Sequence, residues 1–405
     1  MYQRSSRSNT RSSQSRRTSF NNHKRSGSRR PVKQNIHPSK FIRAARPVEV
    51  VAYEPEHRFE DFAVHELIKR NVVEKGYVQP SEIQDKTINH VLTGKDVVGI
   101  ANTGTGKTAA FALPVLHQLM MNPLNKALIV APTRELAQQI EVECRSFAKG
   151  SGLCAALLIG GANMMGQIRE LRANPSLVIG TPGRIKDHVE RANLNLTEFN
   201  IVVLDEVDRM LDMGFIVDIR FLLDQLNTPR QSLFFSATMD NTIEQLVQSF
   251  LHEPITISVR HGETSDNVAQ DVVPYRDGHE KIEKLHDTLN LPDVSKVLIF
   301  DETQRDVERL AETLVQRGFK VDSLHGGKTQ GQRQRALKRF RNNEITILVA
   351  TDVAARGIDI SDISHVINYS TPQTYEDYVH RIGRAGRAGR PGNALTFVSL
   401  FDYRF

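Results

Sequence analysis

Eight consecutive residues, Ala101-Asn102-Thr103-Gly104-Thr105-Gly106-Lys107-Thr108, combine glycines, a lysine and a terminal hydroxyl in an order suited to a polyphosphate. Glycines let successive backbone N–H groups converge on one anion, and a helix starting directly behind them adds the partial positive charge of its N-terminus. The backbone from Thr103 through Gly104 and Thr105 to Gly106 would form the cradle, Lys107 would reach the terminal phosphates, and the Thr108 hydroxyl would hold Mg²⁺. The general pattern opens with glycine where this chain has Ala101, yet its Gly-Lys-Thr end is intact. Asp205-Glu206-Val207-Asp208 begins 97 residues beyond Thr108. Asp205 is suited to hold Mg²⁺ through water, and Glu206 to orient and deprotonate the water that attacks a γ-phosphate. A third group, His380-Arg381-Ile382-Gly383-Arg384-Ala385-Gly386-Arg387, repeats arginine every third residue. Guanidinium groups suit phosphate oxygens, and Arg384 and Arg387 are candidates for arginine fingers supplied in cis from a different domain.

Such chemistry needs a strand, a tight loop and a helix in succession. Val97-Val98-Gly99-Ile100 precedes the glycine loop, and a helix-like run from Ala109 to Met121 follows it. The apolar run Ile201–Leu204 ahead of the acidic cluster reads as a strand buried on both faces of a parallel sheet, whose carboxyl end faces the ligand crevice. Further runs at 96–100, 127–131, 155–159, 177–180 and 232–235 alternate with amphipathic segments, and a second series follows at 296–300, 321–324, 346–350, 365–369 and 394–398. The sequence therefore predicts an α/β fold of two tandem domains, each a mostly parallel sheet with helices on both faces. The first would span 55–258 and the second 269–405, joined by a linker at 259–268 containing Gly262, Thr264 and Ser265. Tyr375–Ile382 reads as a short helix ending at Gly383. A nucleotide at the first domain's strand ends would face the second if the linker lets them close.

Composition narrows the classes further. With 39% hydrophobic and 25% charged residues the chain reads as globular. No apolar run approaches the ~18–20 residues of a membrane span. Cys144 and Cys154 have neither the number nor the spacing of a zinc site or a disulfide framework, which suits a reducing compartment, and the cytoplasm is expected. Charge is uneven: residues 1–48 hold 13 of the 53 Lys and Arg and none of the 47 acids, so the remainder is net negative. Residues 1–54, rich in arginine, serine and asparagine, lack apolar residues for a core and are expected to be disordered. That tail reads as an electrostatic arm for RNA or other polyanions, as a solubilising extension, or as an organellar transit peptide.

With these elements in hand, the chain resembles the DEAD-box family of ATP-dependent RNA helicases over about residues 55–403. Phe59, seventeen residues before Gly76, and Pro80-Ser81-Glu82-Ile83-Gln84 are similar to the family's adenine-reading motif. The resemblance implies that the Phe59 ring stacks on the base and Gln84 bonds its edge, selecting ATP. The Ala-x-Thr-Gly-x-Gly-Lys-Thr form of the loop is the family's own, and the acidic box differs from the family's only in Val207. Pro132-Thr133-Arg134-Glu135-Leu136-Ala137, Gly160-Gly161 and Thr181-Pro182-Gly183-Arg184 resemble RNA-contacting motifs, in which small residues admit a phosphodiester backbone and Arg134, Gly161, Thr181 and Arg184 meet it. Arg333 and Thr351 resemble RNA contacts of the second domain. Gly357 and Asp359 resemble its loop on the ribose and Mg²⁺ side. Ser236 and Thr238, with Asp208 and His380, resemble the residues that couple hydrolysis to the RNA site.

The resemblance implies two RecA-like domains that clamp ATP and single-stranded or locally duplex RNA between them, independent of sequence, with unwinding or ribonucleoprotein remodelling as the output. An alternative is an ATP-gated RNA clamp or assembly platform with little unwinding. Ribonucleoprotein or ribosome-assembly proteins are expected partners, no membrane is, and the chain is expected to be monomeric. Family members usually continue into another helix after the strand near Leu400, so the second domain is expected to be truncated or less stable than its relatives.

Overall fold

The apolar runs become strands stacked in two parallel sheets. The computed structural model describes residues 36–44, 53–102, 104–259, 267–355, 360, 362–386 and 392–401. Its first lobe contains β1 (Val97–Ala101), β2 (Ala127–Val130), β3 (Ala155–Leu158), β4 (Leu177–Gly180), β5 (Ile201–Leu204), β6 (Gln231–Ser236) and β7 (Ile255–Val259), ordered β3-β4-β2-β5-β6-β1-β7. The second contains β8 (Val268–Tyr275), β9 (Val297–Phe300), β10 (Val321–Leu324), β11 (Ile347–Ala350), β12 (His365–Asn368) and β13 (Gly392–Ser399), ordered β10-β11-β9-β12-β13-β8. Every residue of β1, β2, β5 and β6 is buried, as a parallel sheet covered by helices on both faces requires. One face packs on Phe111 and Phe147, the other on Ile185 and Met210. Burying each such side chain stabilises by roughly 1.5–3 kcal/mol.

Strand order positions the chemistry. β6 lies between β1 and β5, with Ile100 opposite Ser236 and Leu204 opposite Phe234. Adjacent strands are about 4.8 Å apart, so the glycine loop leaving β1, Ser236 ending β6 and the acids leaving β5 emerge side by side at one sheet edge. Helices Lys107–Met121 and Val207–Asp212 start from those strand ends.

Two strands escape the sequence reading. β7 and β8 flank the linker and form the outer edge of their sheets. Edge strands are covered less, and the intermediate and exposed positions along both break the continuous apolar signature of inner strands. The linker shrinks accordingly to the residues between Val259 and Val268, of which 260–266 are outside the described residues.

The tail also needs correction. Residues 1–35 and 45–52 lie outside the described residues, but the expected disorder does not extend across 36–44. There Pro38–Phe41 form a 3₁₀ turn, with Ile36, Pro38 and Phe41 buried against the second lobe. Few as they are, these apolar residues suffice because they join an existing core. Among the described residues, no helix is long and apolar enough to cross a membrane.

Candidate active site between the lobes

The glycine loop is closed by the segment that precedes it. Gln84 sits in the helix Glu82–Leu92, where its side-chain carbonyl accepts the Ser81 N–H at 3.0 Å in a capping box. Its amide nitrogen donates to the Gly106 carbonyl at 3.0 Å. Gly106 has φ +93° there, and a Cβ would lie 2.3 Å from the Gln84 nitrogen, so only glycine fits. Gln84, read as a base contact, thus has one end of its amide on the Ser81 N–H and the other on the glycine loop. Lys107 is buried with its ammonium on the Ala101 carbonyl at 2.9 Å, and Thr105 Oγ1 donates to the Asn102 carbonyl at 2.8 Å. Gly104, Lys107 and Thr108 line a cavity of about 1020 Å³, together with Asp205, Glu206 and, from the second lobe, Arg384. Thr103 is outside the described residues.

Phe59 corrects another expectation. Its side chain is buried in the core, edge-on to Tyr77 at 5.8 Å and Phe62 at 6.2 Å, because a wholly apolar ring gains most by leaving water. Tyr77 instead lines the cavity, its hydroxyl donating to Glu143 at 2.7 Å. Of these three rings, Tyr77 is the one that lines the cavity. Its position directly after Gly76 was the signal available in the sequence.

The acids form a dry, charged cluster. Asp205 is buried, and this pushes its carboxyl up to about 6 although Lys107 opposes the shift; its Oδ1 accepts the Glu206 N–H at 3.0 Å. Burial pushes Glu206 upward as well, but Arg209, Lys107, Arg384 and His380 outweigh it and hold that carboxylate low. Arg209 Nη1 donates to Glu206 Oε2 at 3.0 Å, with both side chains almost fully buried. Glu206 also has φ +54°, a left-handed conformation that costs a side-chain-bearing residue about 1–3 kcal/mol and clusters at functional sites. Arg209 was not anticipated, although its place three residues after Glu206 puts both on one helical face.

Asp208 ties the acidic box to β6. One carboxylate oxygen accepts the N–H groups of Ala237 and Thr238 at 3.0 and 3.2 Å, and the Asp208 N–H donates to Ser236 Oγ at 3.3 Å. In the second lobe, Arg381 is the organiser of its segment: it donates to both oxygens of Asp352, to Asn368 and to the Ser370 carbonyl. That fixes the helix Tyr375–Ile382, from whose C-terminal side the buried Arg384 reaches the field of Glu206. Arg387, Gly357 and Asp359 are outside the described residues.

A second group gathers around the carboxyl ends of β2, β3 and β4. Arg134 crosses the double glycine: a Cβ on Gly161 would lie 2.5 Å from its Nη1, and one on Gly160 3.1 Å from its Nη2. The glycines therefore seat a guanidinium as well as clearing a surface. Burial, with the positive neighbours Arg333 and Arg184, pushes the Arg134 pKa down. Arg184 donates to Gln167 at 3.2 Å and to the Ala162 carbonyl at 3.4 Å, while Gln167 also bonds His188 and the Ile159 carbonyl. Thr181 precedes the helix Pro182–Glu190, and its N–H meets the Leu158 carbonyl at 3.0 Å. Thr351, buried beyond β11, caps the turn 352–355 with its carbonyl.

Arg333 departs from its expected place on RNA. It is buried across the lobe boundary with Nε and Nη2 on one Glu135 oxygen at 2.8 and 2.7 Å, and Gln330 bonds Gln138 beside it at 3.1 Å. A guanidinium already desolvated against a carboxylate holds lobes together. Glu135 was visible in the sequence but its partner, 198 residues away, was not.

Known proteins resemble this chain in sequence and in fold. The chain matches the DEAD/DEAH box helicase family over residues 81–246 and the helicase conserved C-terminal domain over 280–389. It is 43% identical over 343 residues to the ATP-dependent RNA helicase CshA of Listeria monocytogenes, covering 84% of this chain and 66% of that protein. The CshA of Limosilactobacillus reuteri is 41% identical, with 84% and 69% covered. The chain thus spans about two thirds of the length of these curated relatives. Among solved structures, S. cerevisiae Dbp5 bound to RNA and ADP BeF3 superposes with a TM-score of 0.74 at 29% identity, covering 84% of this chain and 89% of that one.

Proposed function

The chain belongs to the DEAD-box family of helicases, and from that premise we propose that it is an RNA-dependent ATPase that clamps RNA between its lobes and separates short duplexes locally. The observation that carries this reading is the shared electrostatic field of the cleft, in which Arg384 of the second lobe helps to keep Glu206 of the first ionised. An ionised, buried carboxylate can take a proton from water, and a guanidinium beside it can balance charge on transferring phosphoryl oxygens.

Each residue has a task in that scheme. Lys107 and the N–H groups of the glycine loop bind the triphosphate, Tyr77 offers its ring to the adenine, Glu206 orients and deprotonates the attacking water, and Arg384 meets the developing charge. The hydroxyl of Thr108 and the carboxylate of Asp205 are hard oxygen donors that suit Mg²⁺, which would supply positive charge to the phosphates. Asp208, bonded to the backbone of 237–238, carries the state of the acidic box into β6. Arg134, Arg184, Gly161 and Thr181, with Thr351 opposite, present donors and a small surface to a phosphodiester backbone, which supports binding without base readout. Two-lobed closure makes ATP and RNA each raise affinity for the other.

Steady-state ATP hydrolysis without nucleic acid, with single-stranded RNA and with single-stranded DNA tests the proposal. Stimulation by RNA alone is expected. Equal rates in all three conditions would rule it out.

A further inference from the structure

Of the nine residues in the helix Met164–Arg172, Gln167 alone is buried, at a position where a helix that faces an interior ordinarily carries an apolar side chain. Burying an amide is unfavourable unless it is bonded, and this one is bonded at both ends. Its Nε2 donates to the Ile159 carbonyl at 3.0 Å, which turns Oε1 toward the helix Pro182–Glu190. There Oε1 accepts Arg184 Nη1 at 3.2 Å and meets His188 Nε2 at 3.0 Å. A carbonyl oxygen only accepts, so His188 Nε2 carries the hydrogen, and its Nδ1, enclosed and without a partner, is bare. His188 is fully buried; burial, with the charge of Arg184 beside it, pushes its pKa down and keeps the ring in that neutral form.

We propose that Gln167 is the positioning residue for Arg184, holding its guanidinium at the carboxyl ends of β3 and β4 beside Arg134, where both meet one phosphodiester backbone. This rests on the RNA-binding reading of Arg184 above. Arg134 lies across Gly160 and Gly161, and Arg184 also donates to the carbonyl of the next residue, Ala162, at 3.4 Å. The two cations repel, since Arg184 is among the charges that push the Arg134 pKa down. A free guanidinium in that field gains by swinging into water, whereas a held one stays convergent with its neighbour until a phosphate relieves the repulsion. Three bonds on one amide supply that hold, with Ile159 fixing which end faces Arg184 and His188 closing the oxygen's second site. The anchor is neutral and leaves Arg184 its charge, where a carboxylate would pair it off.

The test is a double-mutant cycle of Gln167→Leu and Arg184→Ala in the full-length protein, read as equilibrium affinity for a fluorescent single-stranded RNA with a non-hydrolysable ATP analogue present. Gln167→Leu keeps the bulk and removes the anchor, so Kd is expected to rise about three- to tenfold. At saturating RNA, kcat for ATP hydrolysis is expected to stay within about twofold of the parent, because only binding depends on the anchor. Adding Gln167→Leu to Arg184→Ala is expected to raise Kd less than about twofold further, since an anchor without its arginine holds nothing. Gln167→Asn keeps an amide but is one methylene too short to span Ile159 and Arg184, and is expected to bind as weakly as Gln167→Leu. Losses that multiply in the cycle overturn the proposal, as does a lowered Tm with unchanged Kd in Gln167→Leu, parent-like binding by Gln167→Asn, or parent-like binding by Arg184→Ala. A parent protein that binds RNA yet hydrolyses ATP no faster with it would count against the ATPase reading alone, because the cycle is read in binding.

Discussion

Glu206 stands in a left-handed backbone conformation and in an ion pair that water scarcely reaches, and Arg209, with Lys107, Arg384 and His380, holds its carboxylate low. Glu206→Gln keeps the shape and removes the base. Turnover is expected to fall at least about a hundredfold while closed complexes with ATP and RNA accumulate. Rapid release of both ligands in a filter-binding chase would contradict that role. Asp85 offers a prediction in pH. Burial pushes its carboxyl up, but donation from Tyr53, His57 and Glu56 outweighs this and leaves it below the ordinary range. A depressed carboxylate contributes stability that is present above its unfolded value and lost as pH falls, so the contribution should fade below about pH 4. Asp85→Asn should cost about 1–3 kcal/mol at neutral pH and flatten that acid limb in denaturant titrations. Residue types alone pointed to Lys107, Asp205, Glu206 and Asp208, because the chemistry proposed for them is local to a loop or strand end. That Tyr77 lines the cavity while Phe59 is in the core, and that Arg333 meets Glu135, was not legible because burial decides both, and burial is a property of the folded chain.

Elements repeat that division. Inner strands such as β5 were legible because burial on both faces demands an unbroken apolar run. The helix Tyr375–Ile382 was legible to its last residue because Gly383 stops it. β7 and β8, at sheet edges, answer to one neighbour and carry a mixed pattern that resembles a loop. The contact between helices Arg134–Phe147 and Gln330–Arg341 joins elements in different lobes, and no local pattern announces it. Arg333→Ala would leave Glu135 buried and unpaired, and breaking one side of such a pair costs about 3–5 kcal/mol. The loss should fall on closure: RNA affinity measured with a non-hydrolysable ATP analogue should drop, while affinity without nucleotide stays unchanged. An equal drop in both conditions would assign Arg333 to RNA after all.

The whole molecule divides its charge, with a basic N-terminal stretch ahead of a net negative remainder. Deleting residues 1–35 keeps Ile36–Ala44 and removes ten of the thirteen early cations. RNA affinity should then fall less steeply with salt, by about 0.7 in the log–log slope for each phosphate no longer neutralised. An unchanged slope would make that stretch a bystander. Retaining residue 36 onward matters for another reason. β8 is the outermost strand of its sheet, and Arg43 pairs with it at Gln270. A chain shortened past Ala44 would bare more of an eight-residue strand edge together with the apolar socket of Phe41, and open edges recruit strands from other molecules. Trimming this protein to its two recognisable helicase segments should therefore yield material that clumps on concentration, a failure of solubility that a catalytic assay would misread as inactivity.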